Sequence, residues 1–176
     1  MKATGIVRRI DNLGRIVIPK EIRRTFRIRE GESLEIFVDG DNIVLRKHSP
    51  METLKDFAGK YVESIYPMVK QNIMITDRDT IIAIAGANKD KYLNKYISQY
   101  LEDALLRRDT FMERHKKEVE FSPGLIENVA FSLSPIIVNG DAVGLVIIFT
   151  ENNDLSFIDN KTTEIAAQFL SKNIEN

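Results

Sequence analysis

Four short runs rich in isoleucine and valine occupy the first 48 residues, and turn chemistry closes each one before it grows long. Thr4–Ile10 and Arg15–Ile18 read as strands separated by the turn Asp11-Asn12-Leu13-Gly14. Pro19 ends the second strand and suits the first position of a helix, where its missing N–H costs nothing. Lys20–Phe26 then reads as a short helix, with Ile22 and Phe26 on its buried side and Arg23, Arg24 and Arg27 on the other. Gly31 breaks the chain. Leu34, Ile36 and Val38 alternate with Glu35 and Phe37 as a third strand, Asp39-Gly40-Asp41-Asn42 signals a hairpin, and Ile43–Arg46 returns. Four short strands and one short helix make a thin core, and a unit of this size is marginal alone. Oligomerisation is a usual remedy, so the expectation is an obligate dimer with interleaved strands.

The same segment carries a charge asymmetry. Met1–Arg29 holds nine lysines and arginines against Asp11 and Glu21, a net +7; the whole chain of 176 residues is −1, which leaves −8 on residues 30–176. Such a contrast marks one end of the chain as a contact for a polyanion. Other functions lack raw material. There is no cysteine, which removes disulfides, thiolate zinc sites and cysteine nucleophiles, and His48 and His115 are the only histidines. No glycine-rich phosphate loop, no paired metal ligands at helical spacing and no nucleophile–base pattern occurs, so neither an enzyme nor a bound cofactor or metal is expected. The apolar run Gly144–Phe149 is too short for a signal or a membrane span, so a cytoplasmic protein with no membrane partner is expected.

The run Thr4–Arg24, with Gly14-Arg15-Ile16-Val17-Ile18-Pro19 at its centre, resembles the N-terminal domain of the AbrB family, the swapped-hairpin transition-state regulators of spore-forming bacteria; the likeness continues through Lys47. It implies an intertwined dimer with a small β-barrel-like fold, associated with the nucleoid, that activates or represses sporulation genes. The arginines that contact double-stranded DNA in that family fall, by position, on Arg8, Arg9, Arg15, Arg23 and Arg24. Lysine holds the place of Arg9 in the best-known member, a change that alters bidentate hydrogen bonding. Addiction-module antitoxins share the fold and pair it with a toxin-binding tail, usually short and disordered. That alternative is disfavoured by the periodic apolar segments that follow residue 50. No helix in this stretch presents Asn or Gln at reading positions, so DNA shape and deformability are expected to supply much of the selectivity.

The chain divides by this reading into a DNA-binding domain over 1–48, a linker and helix start over 49–55, and a second domain over 56–176. Ser49, Pro50 and Glu52 spell a capping box. Leu54, Phe57, Ala58, Tyr61, Val62 and Ile65 paint one helical stripe, which Pro67 ends or kinks. Asn72–Thr76 and Thr80–Ala85 read as strands around Asp77-Arg78-Asp79; the two aspartates suit a polar turn better than a metal site, since no third ligand is near. Gly86–Tyr92 reads as a polar connection. Ile97, Leu101, Ala104 and Leu105 define a helix ending near Arg107-Arg108-Asp109, and Arg114-His115-Lys116-Lys117 is a second basic cluster, read as an exposed edge or an anion contact.

Val129–Val138 and Ala142–Thr150 read as long strands joined by Asn139-Gly140-Asp141. On the second, Val143, Leu145, Ile147 and Phe149 form one face and Gly144, Val146 and Ile148 the other, which marks a central strand covered on both sides. Ser156 and Asp159 open a last helix whose inner face is read as Ile158, Ile165, Ala166, Phe169 and Leu170. The element order is that of an α+β sandwich around an antiparallel sheet. That order, with the stretch SPIIVNGDAVGLVIIFTE over 134–151, resembles the GAF domain, a small-molecule sensing fold. The resemblance implies dimerisation through the first and last helices, and so a homotetramer. It identifies no ligand and no ligand-binding residue.

Overall fold

The computed structural model describes residues 5–48, 55–87 and 89–175, in two compact units, Met1–His48 and Ser49–Asn176. In the first unit α1 spans Lys20–Thr25, β1 Leu34–Asp39 and β2 Asn42–Lys47. Pro19 is the N-cap of α1, with φ −57° and ψ 148°, rather than its first helical residue, and Phe26 is the C-cap. β1 and β2 pair antiparallel from Leu34↔Lys47 to Asp39↔Asn42 around Gly40-Asp41, where Gly40 takes φ +57°.

Among the described residues of Thr4–Ile10 and Arg15–Ile18, the single chain forms no strand. Over residues 5–19 the chain closes only the turn, with the Asp11 amide donating to the Arg15 carbonyl at 3.1 Å and the Gly14 amide to the Asp11 carbonyl at 3.0 Å. A strand exists by pairing, and one chain offers these segments no ladder. The buried side expected for α1 is absent for the same reason: Ile22 is half-buried and Phe26 is 61% exposed. No described residue of the unit is buried.

The second unit contains α2 (Lys55–Val69), β3 (Asn72–Thr76), β4 (Ile81–Ala85), α3 (Lys89–Tyr92), α4 (Gln99–Arg107), β5 (Phe111–Ser122), β6 (Leu125–Val138), β7 (Asp141–Thr150) and α5 (Phe157–Glu175). Its antiparallel sheet runs β4-β3-β7-β6-β5. One face buries Ile73, Ile75, Val146 and Ile148 under Ala58 and Val62 of α2 and Ala166, Ala167 and Leu170 of α5. The other buries Met74, Leu145, Ile147 and Phe149 under Tyr92 of α3 and Leu101, Ala104 and Leu105 of α4. β7 is thus central and covered on both faces.

Several details depart from the sequence reading. The capping box at Ser49, Pro50 and Glu52, and Leu54 beside it, lie outside the described residues. Pro67 does not end α2, which continues to Val69; Lys70, at φ +56°, closes it through its amide to the Tyr66 carbonyl at 2.8 Å. The supposed polar connection includes the short helix α3 and a fully buried Tyr92. β5 carries so many charged residues that no apolar period announces it; it is the sheet's edge, where charges discourage pairing with other chains.

Val143 packs with Val146 and Ile148 rather than with Leu145. Ile136 pairs with Gly144 and Ile137 with Ala142, so Val143 is an extra bulged residue and alternation restarts beyond it. On α5 the inner face is Thr163, Ala166, Ala167 and Leu170, while Ile158 and Ile165 are 74% and 64% exposed. Small alanines let the helix sit close to the sheet. Phe169 instead stacks on Tyr61 of α2, ring centroids 5.2 Å apart, which ties the two helices together.

Candidate nucleic-acid interface

The five candidate arginines of the first unit sit on three pieces of chain. Arg8 and Arg9 lie on the segment entering the Asp11 turn, Arg15 leaves it, and Arg23 and Arg24 belong to α1; all five are exposed. Asp11 fixes the turn. Its Oδ1 accepts from the Leu13 amide at 2.9 Å and the Arg15 amide at 2.8 Å, and its Oδ2 accepts from Arg15 Nε at 2.8 Å. The Arg15 amide, then its guanidinium, hold the Asp11 carboxyl below the usual carboxylate range. Arg15 is therefore aimed by one charge-assisted bond while its side chain stays 73% exposed.

Other basic residues of the first unit are committed to the fold. Glu32, with its side chain only 7% exposed, accepts from the Arg29 amide at 2.8 Å and pairs at 3.5 Å with both the Arg29 guanidinium and Lys47 Nζ. Lys47 also donates to the Arg27 carbonyl at 3.2 Å. Glu35 is held below its ordinary value by hydrogen bonds from His48, at 2.9 Å, and Arg46. The basic residues of the first unit thus differ in kind, a distinction that spacing does not carry. Asp11 is the residue sequence reasoning passed over, although an aspartate opening an Asp-Asn-Leu-Gly turn was the available signal.

In the second unit the acidic pair resolves as a turn. Asp77 Oδ1 accepts from the amides of Asp79 at 2.7 Å and Thr80 at 2.6 Å. The basic cluster on β5 is partly engaged: His115 Nδ1 lies 3.0 Å from Asp154, and the Arg114 carbonyl accepts from the Leu155 amide at 3.0 Å. These contacts hold the irregular part of β5 to the loop before α5.

Comparison with known proteins bears on both units. A family profile described as the C-terminal region of stage V sporulation protein T, a transcription factor, matches residues 53–175. Stage V sporulation protein T of Bacillus subtilis (strain 168) is 47% identical over 177 residues, spanning 99% of each chain. The chain belongs to the stage V sporulation protein T family. Membership puts it among transcription regulators of sporulation. Transition state regulatory protein AbrB of the same organism is 57% identical over 53 residues, 30% of this chain and 55% of that one, so the first unit is AbrB-like. A bacterial antitoxin profile, described as antidote-toxin recognition MazE, matches residues 7–53. The GAF domain of an Acinetobacter phosphoenolpyruvate-protein phosphotransferase superposes with a TM-score of 0.57 at 15% identity, covering 69% of this chain and 81% of that one, which gives the second unit a GAF-like fold. Among the described residues, no helix is long and apolar enough to cross a membrane.

Proposed function

We propose that this protein regulates sporulation genes by binding double-stranded DNA. Two N-terminal units intertwine, and Arg8, Arg9, Arg15, Arg23 and Arg24 of both chains form one surface for the duplex. One observation carries the reading: the first unit has no buried described residue although Val7, Ile10, Val17, Ile36, Val38 and Ile43 are all 65% exposed or more. Apolar surface of that extent calls for a second copy. The domains follow as 1–48 for DNA, 49–55 as the connection and 56–176 as the GAF-like part.

The GAF-like part joins two such dimers into a tetramer through the outer faces of α2 and α5, where Ile158 and Ile165 are exposed, and it responds to a small molecule. The protein acts by binding rather than catalysis, in the cytoplasm. An antitoxin would share the first unit, but the second has a core on both sheet faces rather than the tail that reading requires.

The test is duplex-DNA affinity measured across salt concentrations. A dimer making about 6–10 phosphate contacts loses about 10³–10⁵ in affinity between about 50 and 200 mM salt. Salt-independent affinity, or an Arg15→Ala variant that binds like the parent, overturns the proposal.

A further inference from the structure

A cavity of about 590 Å³ opens between the C-terminal end of α4 and strands β5 and β6, within the range of about 300–1,000 Å³ usual for small-molecule sites. Its floor is apolar. Ala104 and Leu133 are buried, and the rings of Tyr100 and Phe111 each stand 6.0 Å from that of Phe131. Its rim carries the cations Arg107 and Lys117 beside the carboxylate of Asp109. The Arg107 guanidinium makes no hydrogen bond or ion pair among the described residues, and Lys117 pairs with Glu113 at 3.5 Å with its side chain 63% exposed. Asp109 is the acidic group on the rim, and the Thr110 hydroxyl is occupied by Ser134 at 2.9 Å.

The backbone holds this rim in place. Arg108 takes φ +59° as the C-cap of α4, and its guanidinium bonds the Gly140 carbonyl and, at 3.1 Å, Asp141. The end of α4 is thereby anchored to the β6–β7 turn while Arg107 and Asp109, on either side of the anchor, line the cavity. Nearer the centre of the same sheet face the space is filled by Tyr92, Phe121 and Phe149, whose ring centroids lie 5.3–6.4 Å apart.

Arg107, and Lys117 with its long, exposed pairing to Glu113, above an aromatic and aliphatic floor suit an anion with a planar apolar body. We propose that this cavity binds a small aromatic anion, its carboxylate or phosphate between Arg107 and Lys117 and its ring on Tyr100, Phe111 and Leu133. Asp109 accepts a hydrogen bond from a hydroxyl or amino substituent. The site gives the sensing role proposed for the second unit its ligand class and rests on that role only for its effect on DNA.

The experiment titrates methyl-labelled full-length protein with benzoate, phenyl phosphate and neutral benzyl alcohol, following the Ala104 and Leu133 methyl signals by NMR. At least one anion shifts these signals, and the arm that binds tighter tells carboxylate from phosphate. Benzyl alcohol binds about tenfold more weakly, and Arg107→Gln and Lys117→Gln each weaken the anion about tenfold, the loss expected for one charge-assisted hydrogen bond. Both changes are on exposed side chains, so the fold survives them; Ala104→Leu, which fills the floor, abolishes binding. No shift with either anion, equal binding of the alcohol, or unchanged affinity in Arg107→Gln overturns the site. DNA affinity measured with and without the anion separates the two ideas: binding without a change in DNA affinity overturns the sensing role and leaves the site standing.

Discussion

Single side chains differ sharply in what they are asked to do. Arg23, exposed on α1, is free to meet a phosphate, whereas Arg29 and Lys47 hold Glu32. Replacing Arg23 with alanine removes one contact per chain and should lower the slope of log affinity against log salt by about 0.9 for each phosphate lost, read from binding isotherms. Gly144 is a different case: a Cβ there would stand 2.1 Å from the Thr76 carbonyl oxygen of the neighbouring strand. Gly144→Ala must push β3 from β7 and should destabilise by at least about 1–3 kcal/mol, seen as a lower urea midpoint.

Glu127 gives the pH prediction. Desolvation raises its pKa, but hydrogen bonds from Lys91 and from Tyr92, at 2.7 Å, and the charge of Lys91 outweigh that and leave it below the ordinary 4.5. A carboxyl lowered on folding stabilises the protein above its unfolded pKa, and the contribution fades as pH falls through the folded value. The gap in urea midpoint between parent and Glu127→Gln should therefore narrow from pH 7 to pH 3; a constant gap would show that the charge is immaterial.

Elements are held by their ends and by what they pack against. At the start of α5 the Ser156 amide and hydroxyl donate to Asp159 at 2.8 and 2.6 Å, and the Asp159 amide returns to the Ser156 hydroxyl at 3.2 Å. Ser156→Ala should cost about 1 kcal/mol of stability in denaturant unfolding. The bulge in β7 is equally supported, since Thr76 Oγ1 accepts from the Leu145 amide at 3.2 Å and Arg78 Nε donates to the Ala142 carbonyl at 2.9 Å. Turns and the Ser156 cap were legible in the chain because their chemistry is local: Asn139 and Gly140 take φ +50° and +84°, as an Asn-Gly hairpin requires. β5 was not legible, because a charged edge strand has no apolar period. The inner face of α5 was legible at Ala166 and Leu170 but not at Thr163 and Ala167, because size and hydropathy favoured Ile158 and Ile165 where close packing on the sheet selected smaller side chains. The N-terminal segments are the element-level test of pairing: amides of residues 6–10 and 15–18 should resist hydrogen exchange in the assembled protein, and free exchange would refute interleaved strands.

For the whole molecule, the question is how many DNA surfaces act together. Linked binding exceeds a single contact by about 10²–10⁴ when the geometry allows both. Truncation after Pro50 should then leave a folded dimer whose DNA affinity is lower by a factor of that order. Unchanged affinity would mean that the second unit does not act through avidity, which a mass measurement of the full chain in solution would check independently.

The Asp11 turn and the basic run around it stood in the chain as written, as did the hairpins at Gly40 and Gly140 and the serine cap of α5. These depend on neighbours in sequence, and neighbours are known from the start. Three-dimensional packing settled what depends on distant atoms: that Val143 changes faces, that Gly144 must lack a side chain, that Tyr92 is core, and that Arg107 and Lys117 flank one cavity. The same distinction separates the basic residues. Charge spacing makes the N-terminal stretch cationic, but contacts decide that Arg29 is tied to Glu32 while Arg15, aimed by Asp11, stays exposed.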